Sequence, residues 1–366
     1  MESVAASTRC ADASATLSDC QFDLPPELIA QVPAERRDNA RLLVLDRRSD
    51  ALTHTYVHTL VEHLHAGDLL VVNDTKVIPA RLFGRTASGG AVELLLIRAA
   101  TPPLAEGSSK NGAWLCLGKP AKRLRPGAEL AFPERARATV TTAHGNGHYT
   151  VAFEDAATVP VLIERHGEIP LPPYIRRPDG PLPLDRTRYQ TVFADVPGAI
   201  AAPTAGLHFT DELLTALQCK GVAIARLTLH VGPGTFLPVR SEDLSKHVMA
   251  AEWCHVPANT AERIRATKAA GGRVVAVGTT TTRALESAAS EGDVVTSGPR
   301  WADCFIVPGY AFRVVDALFT NFHLPGSTLL LLVSAFAGRE RILNTYAEAI
   351  RRGYRFYSYG DAMLIQ

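Results

Sequence analysis

Residues Ala199–Phe236 read AIAAPTAGLHFTDELLTALQCKGVAIARLTLHVGPGTF. Two polar loops, each holding a histidine, flank one helix and one strand. Thr210 stands where an N-cap hydroxyl accepts from first-turn amides, and Asp211 and Glu212 complement the positive helix end. Leu213, Leu214 and Leu217 give the helix an apolar stripe, and Gly221 is placed to end it. Val222–Val231 then reads as a mostly buried strand that exits into His230-Val-Gly-Pro-Gly-Thr-Phe. Loop, helix and strand in that order build an open α/β sheet, which binds ligands beyond the carboxyl ends of its strands.

The same grammar continues downstream. Asn259–Ala270 reads as a helix, with Asn259 and Glu262 in capping-box relation and Gly271-Gly272 closing it. Arg273–Val277 reads as a strand, Gly278–Thr282 as a polar loop, Arg283–Ala289 as a helix and Cys304–Val307 as a strand. Ser327 caps an apolar helix that Gly338 ends, and Arg341–Arg352 is amphipathic. This repetition predicts a mostly parallel sheet covered by helices. Upstream, Arg41–Leu45 and Leu52–Thr55 suggest a hairpin, Val57–His65 a helix and Asp68–Val72 a buried strand.

Between Val77 and Phe153 the texture changes. Ala91–Ile97, Ala113–Leu117, Glu129–Phe132, Ala138–Thr142 and His148–Phe153 are short apolar or alternating runs between Gly and Pro clusters. They predict a small antiparallel barrel or sandwich, with Thr101–Gly112 as a mobile hairpin loop. The expected organisation is a disordered extension over 1–20, a discontinuous α/β catalytic domain over 21–76 and 156–366, and an inserted β-barrel domain over 77–155. Val159–His166 reads as a helix and Pro170–Pro183 as a loop.

Bulk composition narrows the function classes. The 366 residues are 46% hydrophobic and 20% charged, as in a soluble globular protein. The longest aliphatic run, Leu329–Val333, is too short for a membrane span. No secretory signal is visible, so a cytoplasmic protein is expected. The six cysteines form no C-x-x-C pair, which argues against a structural zinc and a disulfide framework. A net charge of +1 does not advertise nucleic acid, so RNA binding would rest on local patches. Such patches exist: Lys119–Arg137 carries Arg123 and Arg125, the proline-rich loop carries Arg176 and Arg177, and Arg351, Arg352 and Arg355 interleave with aromatics.

Polar loops hold the residues with chemical content: Asn73 and Asp74, Thr204 and His208, His230 and Thr235, Thr279–Arg283, and Asn321 and His323. Histidine can move a proton near neutral pH, although loop histidines more often organise turns. Gly278-Thr-Thr-Thr-Thr-Arg283 opens a helix with amides, hydroxyls and a guanidinium, which suits a carboxylate; a threonine-rich cap with Arg283 in a structural pair reads as well. No H-x-x-x-H or H-E-x-x-H spacing supports a metal.

Together, Leu69–Gly84, Tyr189–Phe193, Gly198–Thr210, Leu229–Phe236, Gly278–Glu286, Thr320–Leu329 and Tyr359–Ile365 resemble the S-adenosylmethionine:tRNA ribosyltransferase-isomerase family of queuosine biosynthesis. The string AAPTAGLHFT is the most specific of these. The resemblance implies an α/β domain with an inserted barrel, acting as a monomer without a metal. It implies S-adenosylmethionine as ribosyl donor and, as acceptor, a tRNA with a GUN anticodon carrying 7-aminomethyl-7-deazaguanine. Epoxyqueuosine-tRNA, adenine and methionine are the products. On the matching loops it implies His208, His230 and Asp74 as catalytic residues. Substrate contacts are implied from Asn73, Arg81, Thr204, Gly206, Gly234, Thr235, Thr279, Thr280, Arg283, Asn321 and His323. Arg123, Arg125, Arg176 and Arg177 are expected to hold tRNA. The rivals are an S-adenosylmethionine methyltransferase acting on RNA, a non-catalytic RNA-binding protein and a nicotinamide dehydrogenase. The missing G-x-G-x-x-G fingerprint weakens the dehydrogenase, and no glycine-rich first turn supports the methyltransferase.

Overall fold

The computed structural model describes residues 20–100, 112–232, 244, 249–290 and 294–366. The expectations for the extension up to residue 19, for the hairpin loop 101–111, and for Gly234 and Thr235 lie outside the described residues. Cys20 was grouped with that extension, but it is buried in the main core and its carbonyl accepts from Gly326 N at 3.0 Å.

Arg41–Leu45 (β1) and Leu52–Tyr56 (β2) form the expected antiparallel hairpin. The helix expected next is shorter: a 3-10 turn over Val57–Thr59 leads into one α-turn, Leu60–His63 (α1). Leu69–Asn73 (β3) is buried at every position, and Thr75–Val77 (β4) follows. The chain then closes a six-stranded antiparallel barrel from Arg81–Thr86 (β5), Ala91–Ala99 (β6), Gly112–Lys119 (β7), Glu129–Ala131 (β8), Arg137–Gly145 (β9) and His148–Phe153 (β10). Alternate residues such as Leu94, Leu96, Val140, Tyr149 and Val151 fill its interior.

Thr158–His166 (α2), Pro183–Arg188 (α3) and Val196–Ala199 (β11) bring the chain back, with β11 pairing parallel to β4. Then come Asp211–Cys219 (α4), Ala223–Leu229 (β12), Glu252–Val256 (β13), Ala258–Ala269 (α5), Val274–Val277 (β14), Thr279–Ser287 (α6), Gly298–Ala302 (β15), Ala317–Asn321 (β16), Thr328–Ala337 (α7), Arg339–Arg351 (α8) and Ala362–Ile365 (β17). The caps at Thr210 and Ser327 are as expected, each hydroxyl accepting from a backbone amide three residues on.

Nine strands form the large sheet, in the order β15-β13-β12-β3-β14-β16-β17-β1-β2. The run β12-β3-β14-β16 is parallel, and antiparallel pairs lie towards both edges, so the sheet is mixed around a parallel centre. Leu69, Val71, Val274 and Ala276 face one core with Leu285, Leu331 and Ile342 from α6, α7 and α8. Leu70, Val72, Val275 and Val277 face the other with Leu60, Leu213 and Leu217 from α1 and α4. Burial on both faces explains why these strands read as unbroken apolar runs. No helix of the described residues is long and apolar enough to cross a membrane.

Three local expectations are corrected. Cys304–Val307 joins no ladder, and the neighbouring strand is β15, a few residues earlier. Helix α5 begins at Ala258 behind Pro257 and has no side-chain cap bond, so Asn259 is already helical and closes no capping box. Helix α6 begins at Thr279, four residues before the expected start, which puts the threonine run inside its first turn.

Candidate active site

Strand β3 has β12 on one side, preceded by α4, and β14 on the other, preceded by α5, and these helices pack on opposite faces of the sheet, the arrangement that places a ligand crevice at the carboxyl ends of such strands. The ends of β12, β14 and β16 deliver His230, Gly278 and Asn321 to the same rim. A notch of about 30 Å³ lies there, lined by Thr204, Val231, Thr279, Thr280, Asn321 and His323 among others. This has room for a water-sized group and is one corner of a site for anything larger.

At the ends of β3 and β12, outside the lining of the notch, stand Asp74 and His230. Asp74 is buried, and burial raises its carboxyl above the usual range; the hydrogen bond from Thr228 Oγ1 to Oδ1, at 2.7 Å, opposes that only in part. His230 Nδ1 lies 2.8 Å from Thr75 Oγ1, and its ring stacks on Trp253 at 5.0 Å and 20°. Burial pushes this imidazole down to about 4, so it is neutral at physiological pH. Gly198 has φ +151°, and a Cβ there would come 2.7 Å from the His230 ring, so only glycine allows this approach.

In that lining, Asn321 bridges two loops. Its Oδ1 accepts from Thr204 Oγ1 at 2.9 Å, and its Nδ2 lies 3.0 Å from His208 Nε2. His323 lines the notch with Nε2 3.0 Å from Thr320 Oγ1, and its amide donates to Tyr346 Oη. Burial holds His208 at about 4 and His323 at about 3. Thr280 stands apart among the lining residues: its hydroxyl is buried and makes no hydrogen bond among the described residues. It sits in the first turn of α6, behind Gly278 at φ +91°, where backbone N–H groups have no intrahelical partner.

Several sequence expectations change. Arg283 is buried and held in a structural pair: Nη1 pairs with Glu252 at 2.5 Å, and Nε and Nη2 donate to the Cys304 and Ala302 carbonyls. Glu252 Oε1 in turn accepts from Gly232 N at 2.9 Å, so the ion pair braces the loop after His230 and neutralises the guanidinium charge that a carboxylate would otherwise meet. Asn73 exchanges two hydrogen bonds with the Leu229 backbone and accepts from Thr75 N, which makes it a clamp between β3 and β12 instead of a ligand contact. Gly206 is explained by packing, since a Cβ would come 2.8 Å from Phe193. Arg81 points to Glu93 and the Leu171 carbonyl at the barrel entrance, away from the notch. His208 lies behind Asn321, against Arg37, Arg188 and Tyr359, and reaches the notch only through that amide.

Among the tRNA candidates, Arg177 is tied to Asp185 by two 2.8 Å bonds and to the Gln31 carbonyl. Arg123 donates to the Ala91 carbonyl, whereas Arg125 and Arg176 are exposed. Sequence reasoning missed Thr75, Thr228 and Trp253. The two threonines stand beside residues already singled out, so proximity was a usable signal. Trp253 reaches His230 only through strand pairing, which no local pattern reveals.

Comparison with known proteins agrees with this architecture. The model of a family described as queuosine biosynthesis protein matches residues 17–365. An S-adenosylmethionine:tRNA ribosyltransferase-isomerase of Citrifermentans bemidjiense is 53% identical over 350 residues, covering 95% of this chain and 99% of that one. The protein of the same name from Gloeobacter violaceus is 50% identical and covers 94% of each chain. The crystal structure of an S-adenosylmethionine tRNA ribosyltransferase from Thermotoga maritima, 37% identical, superposes with a TM-score of 0.53, covering 95% of this chain and all of that one. With the match running through the sheet, the barrel and every loop of the rim, the chain belongs to the S-adenosylmethionine:tRNA ribosyltransferase-isomerase family of queuosine biosynthesis.

Proposed function

We propose that this protein transfers the ribosyl unit of S-adenosylmethionine to 7-aminomethyl-7-deazaguanine at the wobble position of tRNA with a GUN anticodon. The sugar is rearranged to an epoxycyclopentanediol, and adenine and methionine leave. The relatives' names support the donor and the acceptor class. The observation on this chain that carries the reading is the meeting, at one sheet end, of two unusual groups. One is a buried carboxyl with a raised pKa, Asp74; the other is a helix start with an unpartnered hydroxyl, Thr280.

The chemistry needs both. A sulfonium acidifies the adjacent C5′ protons, so the reaction begins with a base. Burial makes Asp74 accept a proton more readily than an ordinary aspartate, and the Thr228 hydroxyl holds it in place for that role. The aminomethyl group must also lose a proton before it attacks, and Asp74 with its neighbour His230 serves that step. Asn321 and His323 offer polar contacts to adenine or ribose at the notch. Because Arg283 is occupied, the methionyl carboxylate is assigned to the first-turn amides of α6 with Thr279 and the Thr280 hydroxyl. Exposed Arg125, with Arg123 beside it on the barrel, is assigned to tRNA phosphates.

The test mixes purified protein, S-adenosylmethionine and tRNA bearing the aminomethyl base, with small molecules and nucleosides read by mass spectrometry. Adenine, methionine and an epoxyqueuosine-mass nucleoside are expected. S-adenosylhomocysteine with a methylated tRNA would replace this reading by methyl transfer.

A further inference from the structure

The outer face of the sheet edge carries a row of rings that the core does not use. Strand β13 alternates strictly: Glu252, Cys254 and Val256 are buried, while Trp253 and His255 point the other way. His230 N donates to the Trp253 carbonyl, so their side chains share that outer face. Trp301 of β15 stands directly opposite Trp253 in the antiparallel register, and on the same side. Trp301 is 45% exposed. The guanidinium of Arg98, from barrel strand β6, lies 5.6 Å from the Trp301 ring centroid and forms no ion pair among the described residues. His255 stacks beside Trp253 at 6.4 Å and 22° and widens the row.

We propose that the row His230–Trp253–Trp301–Arg98 is a stacking track for the unpaired RNA nucleotides that flank the one being modified. This rests on the tRNA reading above and names the surface by which that site takes its substrate. Two strand spacings put Trp301 roughly 10 Å from the His230 end, close enough to serve a neighbour of the reacting nucleotide. Unpaired bases stack on indole and imidazole whatever their sequence, and arginine adds both a flat cation and a phosphate partner. A protein partner is the poorer fit. The row is narrow, it starts at His230 of the proposed site, and it ends on a guanidinium that has a ring beneath it and no ion pair among the described residues.

The experiment measures binding of a fluorescently labelled RNA hairpin with an unpaired loop, against a fully paired duplex of the same stem. Trp301→Ala is expected to weaken the hairpin by about 10-fold, within the ~5–150-fold range for losing one stacked base, and to leave duplex binding unchanged. Trp301→Phe should restore most of the affinity, which a merely structural role for the indole would not require. Arg98→Ala should lower the salt slope of hairpin binding by about 1. Adenine release from the modified tRNA should keep its kcat in Trp301→Ala and show a raised KM for RNA. If the wild type binds the hairpin and turns over while Trp301→Ala does the same within about two-fold, the track is wrong and the tRNA reading survives. If the wild type neither binds the hairpin nor releases adenine, both fall. A concentration-dependent dimer that Trp301→Ala abolishes would assign the row to a second copy of the chain and overturn the proposal.

Discussion

Strand β3 is bracketed by two buried aspartates that have opposite fates. Asp68, before its first residue, is pulled up by burial, but Arg273 and the His65 amide more than offset this, and its carboxyl ends below the usual range. Asp74, after its last residue, receives the Thr228 hydroxyl and ends above that range. The surroundings repeat the contrast. The Asp68 end faces a groove of about 1210 Å³, far larger than the notch. Most of its charges are engaged: Arg47 with the Phe336 and Asp316 carbonyls, Arg273 with Asp68 and Gln366, Lys268 with Asp316, Arg341 with Asp50, while Arg48 stands exposed. The Asp74 end keeps neutral imidazoles and a hydroxyl, that of Thr280, with no partner among the described residues. Volume alone does not single out a reactive end, and the proposed site rests on the raised carboxyl of Asp74 and the first turn of α6.

The largest expected effect tests that pair directly. Asp74→Asn keeps an acceptor for Thr228 but removes the proton acceptor, so adenine release should fall by about 10²–10⁴ with the fold intact. Asp68→Asn should do the reverse. It gives up charge-assisted bonds to Arg273, lowers stability by about 2–3 kcal/mol in urea unfolding, and leaves turnover of the folded fraction unchanged. Loss of turnover in Asp68→Asn at unchanged stability would dissolve the distinction.

A middle-sized effect comes from the imidazoles gathered at the Asp74 end. An unfolded histidine titrates near 6.5. His208 and His230 are held at about 4 and His323 at about 3. Between those values and 6.5 the unfolded chain binds protons that the folded one refuses. Stability should therefore be complete above about pH 6.5 and fall as the pH drops towards 4, each histidine steepening the slope by up to about 1.4 kcal/mol per pH unit. Asp74 acts in the opposite sense, because its folded form holds a proton longer than the unfolded chain does. Urea unfolding from pH 7 to pH 5 measures the slope, and His323→Gln should flatten it by one proton. A profile unchanged by that substitution would mean that His323 is not held neutral by burial.

Much of this was legible in the sequence, for identifiable reasons. Thr210, Ser327 and the apolar run of β3 announce themselves locally, through a cap hydroxyl or through burial on both faces. Five of the six barrel strands show as alternation. The sixth, β5, hides because Arg81, Gly84 and Arg85 interrupt six residues, although Gly84 is there to let Phe132 pack at what would be 2.7 Å. The rim residues were found, but their partners were not. Arg283 reads equally as an anion contact and as half of a structural pair until Glu252, 31 residues away, arrives across α6 and β13. Asn73 looks like a ligand contact until β12 docks 156 residues later. A polar residue on a loop signals that something will bond it, and only the fold decides whether that partner is protein or substrate.

Thr280 gives the smallest effect and tests that last point most sharply. Its hydroxyl is buried without a partner, while Thr281, the next residue, donates to the Val277 carbonyl at 2.7 Å. Removing an unsatisfied buried hydroxyl does not cost a protein hydrogen bond, so Thr280→Val should hold or raise stability by up to about 1 kcal/mol. If the methionyl carboxylate takes that hydroxyl as donor, the KM for S-adenosylmethionine should rise about 10–15-fold in the same variant, the worth of one hydrogen bond to a charged group at its weaker end. Thr281→Val should show the complementary pattern, a small loss of stability and an unchanged KM. Equal KM values in wild type and Thr280→Val would leave the start of α6 outside the donor site, and the carboxylate would then need a cation that Arg283, locked to Glu252, does not supply.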